Sequence, residues 1–94
     1  MDRTELERRR ANEETFAQAN EQIREAAVRH NVDPMPVLCE CSATNCMELI
    51  HIPLAAYREV REGGGFVIRP GHDDPHVEHV IEECDGYQVV EKFR

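Results

Sequence analysis

Three of the chain's four cysteines fall within eight positions, as Cys39, Cys41 and Cys46 of the stretch PVLCECSATNCMELI. Such crowding admits four chemistries: core residues, a disulfide with one thiol left over, a reactive thiol with its helpers, or metal ligands. Size bears on the choice. With 94 residues, 40% of them hydrophobic, and no Trp, the chain has a thin core. A domain this small buries only roughly 60–65% of the surface its unfolded form exposes, so a staple would add much to its stability.

The N-terminus, MDRTELERRR, shows no apolar signal-peptide core, and no apolar run approaches the roughly 20 residues that span a bilayer. The expectation is a cytoplasmic protein without a membrane partner. Thiols stay reduced there, so clustered cysteines read as metal binding or reactivity before disulfide. The net charge of −8 is concentrated in residues 32–94, which hold twelve acids against five bases. An acidic body repels phosphate backbones and argues against a nucleic-acid partner. The basic run Arg8-Arg9-Arg10 is interleaved with acids and reads as a solvated helix face.

Residues 4–30 have helical periodicity, with Thr4 and Glu7 at capping-box spacing and an apolar stripe of Leu6, Phe16, Ala19, Ile23, Ala26 and Ala27. Arg9 and Asn12 interrupt the stripe early, so the first ten or so residues are expected to project or fray. Asn31 suits a left-handed stop, and Asp33-Pro34-Met35-Pro36 a stiff connector. Strands are expected over Val37 to Cys41 and Cys46 to Ile52, closing a hairpin through Ser42-Ala43-Thr44-Asn45. Pro53 would open a helix through Arg61 with Leu54, Tyr57 and Val60 inward, ended by Gly63-Gly64-Gly65. Phe66 to Arg69 is a third strand, and Val77 to Cys84 and Tyr87 to Phe93 flank the hairpin signal Asp85-Gly86. Val77, Val80 and Ile81 also fit a helical face, which leaves that arm ambiguous. The predicted class is α+β: an N-terminal amphipathic helix over residues 1–33, then a small zinc-stapled β-β-α-β-β-β domain over 34–94.

On a strand, residues two apart share a face, so Cys39 and Cys41 offer both sulfurs to one point and a short turn returns Cys46 to it. Zinc suits three thiolates, and a structural site needs a fourth protein ligand. His72 is preferred because the Pro70-Gly71 turn before it re-aims the chain. His76 and His79 come next, although residues 73–85 carry six acids and no base, which suits solvated histidines equally well. Strict alternation turns His51 away from Cys46, and Cys84, next to a tight turn, is equally well a buried apolar residue.

The segment LCECSATNCMELIHIPLAAYREVR, with FVIRPGHDDPHVEHVIEECDGYQVVEK after it, resembles a family of small bacterial proteins commonest among actinobacteria, whose biochemical activity is not established. Their pattern is C-E-C, a third Cys four residues on, an E-Y helix, F-x-V-x-P-G-H and a closing D-x-Y-x-V-V-E-K. The resemblance covers residues 38–92 and extends loosely into the N-terminal helix. It implies that Cys39, Cys41, Cys46 and His72 form one zinc-ligating set without Cys84. This chain departs from the pattern at Ala56-Tyr57, where E-Y is usual, and at Ile52-Pro53, where a Ser or Thr is usual; neither departure touches those four residues.

Three functions compete. The favoured one is a zinc-finger-like regulatory module, without catalysis, in which a Cys3His site fixes the fold. It would meet a partner protein, or a second copy of itself through the N-terminal helix. The alternative is a redox- or metal-responsive sensor whose zinc-thiolates release metal on oxidation. An enzyme finds little support: there is no phosphate loop and no nucleophile elbow, and four protein ligands would leave zinc no open position.

Overall fold

A computed structural model of the chain describes residues 3–43 and 45–93, and within the first helix it leaves the side chains of residues 5, 6, 9, 10 and 12 undescribed. The elements run α1 (Arg3–His30), β1 (Met35–Leu38), β2 (Leu49–Ile52), α2 (Leu54–Glu62), β3 (Phe66–Ile68), β4 (Glu78–Cys84) and β5 (Tyr87–Lys92). The class is α+β. One small antiparallel sheet pairs β1 with β2, and a second has the order β3-β5-β4. At 1.5 Å rise per residue the 28 residues of α1 span about 42 Å. That length sets the long axis of a molecule measuring 43 × 23 × 22 Å.

Local chemistry accounts for most element ends. Asn31 takes φ 56° after α1, the left-handed stop its short polar side chain tolerates. Pro53 stands just before α2, whose first N–H, that of Leu54, donates to Asp33 Oδ1 at 3.1 Å, and Gly63 closes the helix. Gly86, at φ 86°, turns β4 into β5. The helix-like spacing of Val77, Val80 and Ile81 has a specific origin: the β4–β5 register slips between Val80 and Glu82, and Ile81 is the extra residue of that bulge. One inserted residue breaks period-two alternation, which is why the arm reads ambiguously in sequence.

The core joins Met35, Val37, Ile50 and Ile52 of the first sheet, Phe66, Val67, Ile68, Val89 and Val90 of the second, and Tyr57 of α2. Leu54 and Val60 pack on it from the same helix. The inward line of α1 only partly follows the apolar stripe expected from its sequence, Ala27 being the one described member of that stripe fully buried and Ile23 packing on the core. Fully buried positions there are Glu13, Ala17, Asn20 and Ala27, with Phe16, Ala19, Ile23 and Ala26 half-buried beside them. Leu6, Arg9 and Asn12 lie among the undescribed side chains. Alanines bury little area, so polar contacts carry much of the docking. Asn20 Nδ2 donates to the Leu38 carbonyl at 2.9 Å while its Oδ1 accepts from the Leu38 N–H at 2.7 Å, so one amide side chain caps the open edge of β1 as a further strand would. Lys92 of β5, almost wholly buried, bonds Glu78, lies 3.4 Å from Glu13 of α1 and donates to the Glu40 carbonyl at 3.2 Å.

Candidate metal centre

β1 and β2 end short of the cysteines. β1 stops at Leu38, not at Cys41, and β2 starts at Leu49, not at Cys46, so all three thiols sit on the connection between them. The reason is a change of partner. The Cys39 N–H donates to the Glu48 carbonyl at 2.8 Å, the last bond along the hairpin. One residue later the Glu40 N–H donates to Val67 of β3, also at 2.8 Å. The chain thus leaves the first sheet and docks on the second, and Cys39 and Cys41 are held at that junction.

Glu40, between them, has no solvent exposure. Its Oε1 accepts from the Val67 N–H at 2.9 Å, and its Oε2 accepts from Tyr57 Oη at 2.6 Å and Asn20 Nδ2 at 2.7 Å. Burial pushes the Glu40 carboxyl above its ordinary range, and these three donors oppose the shift. With its own backbone and side chain both bonded to Val67, Glu40 is the pin on which the C-E-C segment is mounted.

His72 arrives from β3 by a tight turn. Its N–H donates to the Arg69 carbonyl at 3.0 Å, and Gly71 between them takes φ 84°, which the Pro-Gly pair provides cheaply. The ring then presents Nδ1 at 3.6 Å from Cys39 Sγ and 3.7 Å from Cys46 Sγ. One donor atom from each of Cys39, Cys41, Cys46 and His72 lies within 4.8 Å of all the others.

The two N···S separations fit a tetrahedral ion. With bonds of about 2.3 Å to sulfur and about 2.1 Å to nitrogen, a tetrahedron has N···S edges of about 3.6 Å and S···S edges of about 3.8 Å. The surroundings are suited to thiolates as well. Cys39 Sγ accepts from the Arg69 N–H at 3.3 Å and from the N–H of Cys41. Cys41 accepts from the N–H of Ala43, and Cys46 from that of Glu48. Each sulfur therefore takes a backbone donor from two residues on, a pattern that stabilises the anion a metal requires. Cys39 and Cys41 share a hydrogen bond. It drives Cys41 down to about 5 and, with burial, pushes Cys39 well above the ordinary thiol range. Burial also raises Cys46.

Glu48 and Arg69 form the next layer. Glu48 Oε2 stands 3.1 Å from His72 Nε2, opposite the nitrogen that faces the sulfurs, and 3.1 Å from Arg69 Nε. An Nε2–H donated to that carboxylate leaves the Nδ1 lone pair aimed at the sulfur cluster. Sequence reading singled out neither Glu48 nor Glu40 nor Asn20. For Glu48 the one available signal was its place two residues beyond a cysteine.

The other histidines and Cys84 lie apart. His51 is exposed on β2. His76 Nδ1 pairs with Asp74 at 3.1 Å, and His79 stacks on Phe93 with ring centroids 5.3 Å apart. Cys84 is half-buried against Tyr87. Among the described residues the Cys3His group is the one cluster of potential ligand atoms this tight, and no helix there is long and apolar enough to cross a membrane. Comparison of the chain with family models, with curated proteins and with solved structures gave no match.

Proposed function

We propose that the chain is a zinc-binding interaction and regulatory module in which Cys39, Cys41, Cys46 and His72 hold one Zn2+ as a closed structural site. The observation that carries this is the pair of Nδ1···Sγ separations, 3.6 and 3.7 Å, which match a tetrahedral zinc edge. The backbone N–H aimed at every sulfur supports it. Three thiolates and an imidazole favour zinc over hard cations such as magnesium or calcium, which prefer oxygen. Four protein ligands leave no coordination position for substrate or water, so the role is structural and not catalytic.

The staple holds the junction of the two sheets, on which α1 is docked through Asn20. In this reading the module is a cytoplasmic bacterial protein of the family whose C-E-C and P-G-H pattern it shares. Its acidic body and long helix meet a protein partner or a second copy of the chain. The charge of −8 supports a protein surface over nucleic acid. Native mass spectrometry tests both parts at once. The wild type is expected to carry one zinc per chain, and the His72→Ala variant to lose it. A wild type that folds fully and takes up no zinc ends the proposal, and the subunit count reports on self-association.

A further inference from the structure

The centre is not uniform around its circumference. Cys39 and Cys41 have 0% and 1% exposure, whereas Cys46 is partly exposed. Asn45, Met47 and Glu48 beside Cys46 are all exposed, and its own N–H makes a turn bond of 3.3 Å to Ala43. Residues 39–41 are instead fixed by the bonds of Cys39 to Glu48 and of Glu40 to Val67, Tyr57 and Asn20. Cys39 Sγ also accepts from the Arg69 N–H at 3.3 Å. Such a donor draws charge from sulfur and dampens its nucleophilicity. Exposure and the weaker anchoring of its own backbone both single out Cys46 among the three sulfurs.

We propose that Cys46 is the oxidation-sensitive ligand of the centre, where a hydroperoxide is reduced and a Cys41–Cys46 disulfide forms with release of the metal. The proposal rests on the zinc reading above. The Cys46 thiolate displaces on the peroxide O–O bond, taking one oxygen as a sulfenic acid while the other leaves as water or alcohol with a proton. The Cys41 thiolate then attacks the sulfenic sulfur, forming the S–S bond and expelling hydroxide, which leaves as water with a second proton. Two thiolates lose two electrons and the peroxide gains them. Both other sulfurs lie within 4.8 Å of Cys46 Sγ. Cys41 is the resolving partner because Cys39 is tied by its N–H to Glu48 and by its sulfur to the Arg69 N–H, whereas the described residues between 42 and 48 lie outside helix and strand, so the Cys41 and Cys46 sulfurs can close to the 2.0 Å or so of a disulfide. Cys39 and His72 alone then make too few ligands to retain zinc.

The test adds hydrogen peroxide to zinc-loaded wild-type protein and to Cys84→Ala with a chromogenic zinc indicator present, followed by peptide mapping. One zinc released per disulfide, a Cys41–Cys46 link in both proteins and recovery with dithiothreitol plus zinc support the proposal. Zinc retained at a peroxide dose that oxidises Cys84 of the wild type overturns it, as does a disulfide that contains Cys39. A Cys46→His variant keeps a zinc-compatible ligand without sulfur and is expected to hold its metal under peroxide as in the peroxide-free control; release at the wild-type rate overturns the assignment. Brief trapping of sulfenic acid by dimedone gives a readout independent of that variant: label on Cys46 supports the proposal, and label first on Cys39 or Cys41 defeats it. A starting protein that contains no zinc instead brings down the underlying zinc reading, before any peroxide is added.

Discussion

Tyr57 donates its phenolic hydroxyl to Glu40 Oε2 at 2.6 Å, and neither residue is exposed to solvent. The bond runs from the middle of α2 to the residue between two candidate metal ligands, so the helix and the centre share one buried carboxylate. Burial and the neighbouring carboxylate both hold the phenol protonated, well above its ordinary range. Tyr57→Phe keeps the shape and deletes the donor. It is expected to destabilise the protein by about 1–3 kcal/mol, the cost of stripping a partner from a buried polar group, measured by urea denaturation. Zinc content should not change, because Glu40 retains the Asn20 and Val67 donors.

If the Cys3His group holds zinc as proposed, removing the metal tests the staple directly. A ligand present at about 1,000 times its Kd stabilises the folded state by about 4 kcal/mol, which in a domain of this size moves Tm by tens of degrees. Chelation followed by calorimetry is expected to lower Tm and to strip hydrogen-exchange protection from the amides of Cys39, Glu40 and His72. A chelator-washed sample whose melting is indifferent to added zinc would falsify the staple.

Glu48 orients His72. Loss of a carboxylate hydrogen-bonded to a ligating imidazole commonly costs about 10–100-fold in metal affinity. Glu48→Ala is expected to show that loss in competition with a chromogenic chelator. Glu48→Gln, whose amide oxygen still accepts from Nε2–H, should recover much of it. Nitrogen chemical shifts of His72 in the zinc-loaded wild type should report the Nε2–H tautomer; the opposite tautomer refutes the role.

Asn20 supplies donors that an acid lacks. Asn20→Ala leaves the Leu38 N–H and C=O without their partner and is expected to cost about 1–3 kcal/mol. Asn20→Asp should cost more, since it sets a second carboxylate beside Glu40, where Nδ2 now donates at 2.7 Å. Equal stability of the two variants would remove the edge-capping role. Hydrogen exchange at Leu38 locates the effect.

Lys92 neutralises a buried acidic pair. Lys92→Met keeps most of the side chain's volume but takes from Glu78, which is fully buried, the cation it pairs with, and an uncompensated buried charge costs about 3–5 kcal/mol. The expected loss, read by urea denaturation, exceeds that of Arg58→Met on the exposed face of α2, where the Arg58–Glu62 pair is solvated. Similar losses would show that the buried network contributes no more than a surface pair.

By itself the sequence determined what short-range chemistry controls. Asn31 and Gly86 stop and turn the chain because few other residues accept positive φ, and Pro53 opens α2 because its missing N–H has no partner at a helix start. Three cysteines in eight positions lie close together in any fold, and Pro70-Gly71 aims the next residue sharply whatever surrounds it. That turn made His72 the preferred imidazole, but only tertiary structure brought its ring to Cys39 across 33 residues, through the docking of one sheet on the other, and left His51, His76 and His79 apart. It also decided the roles of Glu40, Glu48 and Asn20. Their polar side chains give no periodic signal, and only a particular juxtaposition of backbone donors makes it favourable to bury a carboxylate or an amide.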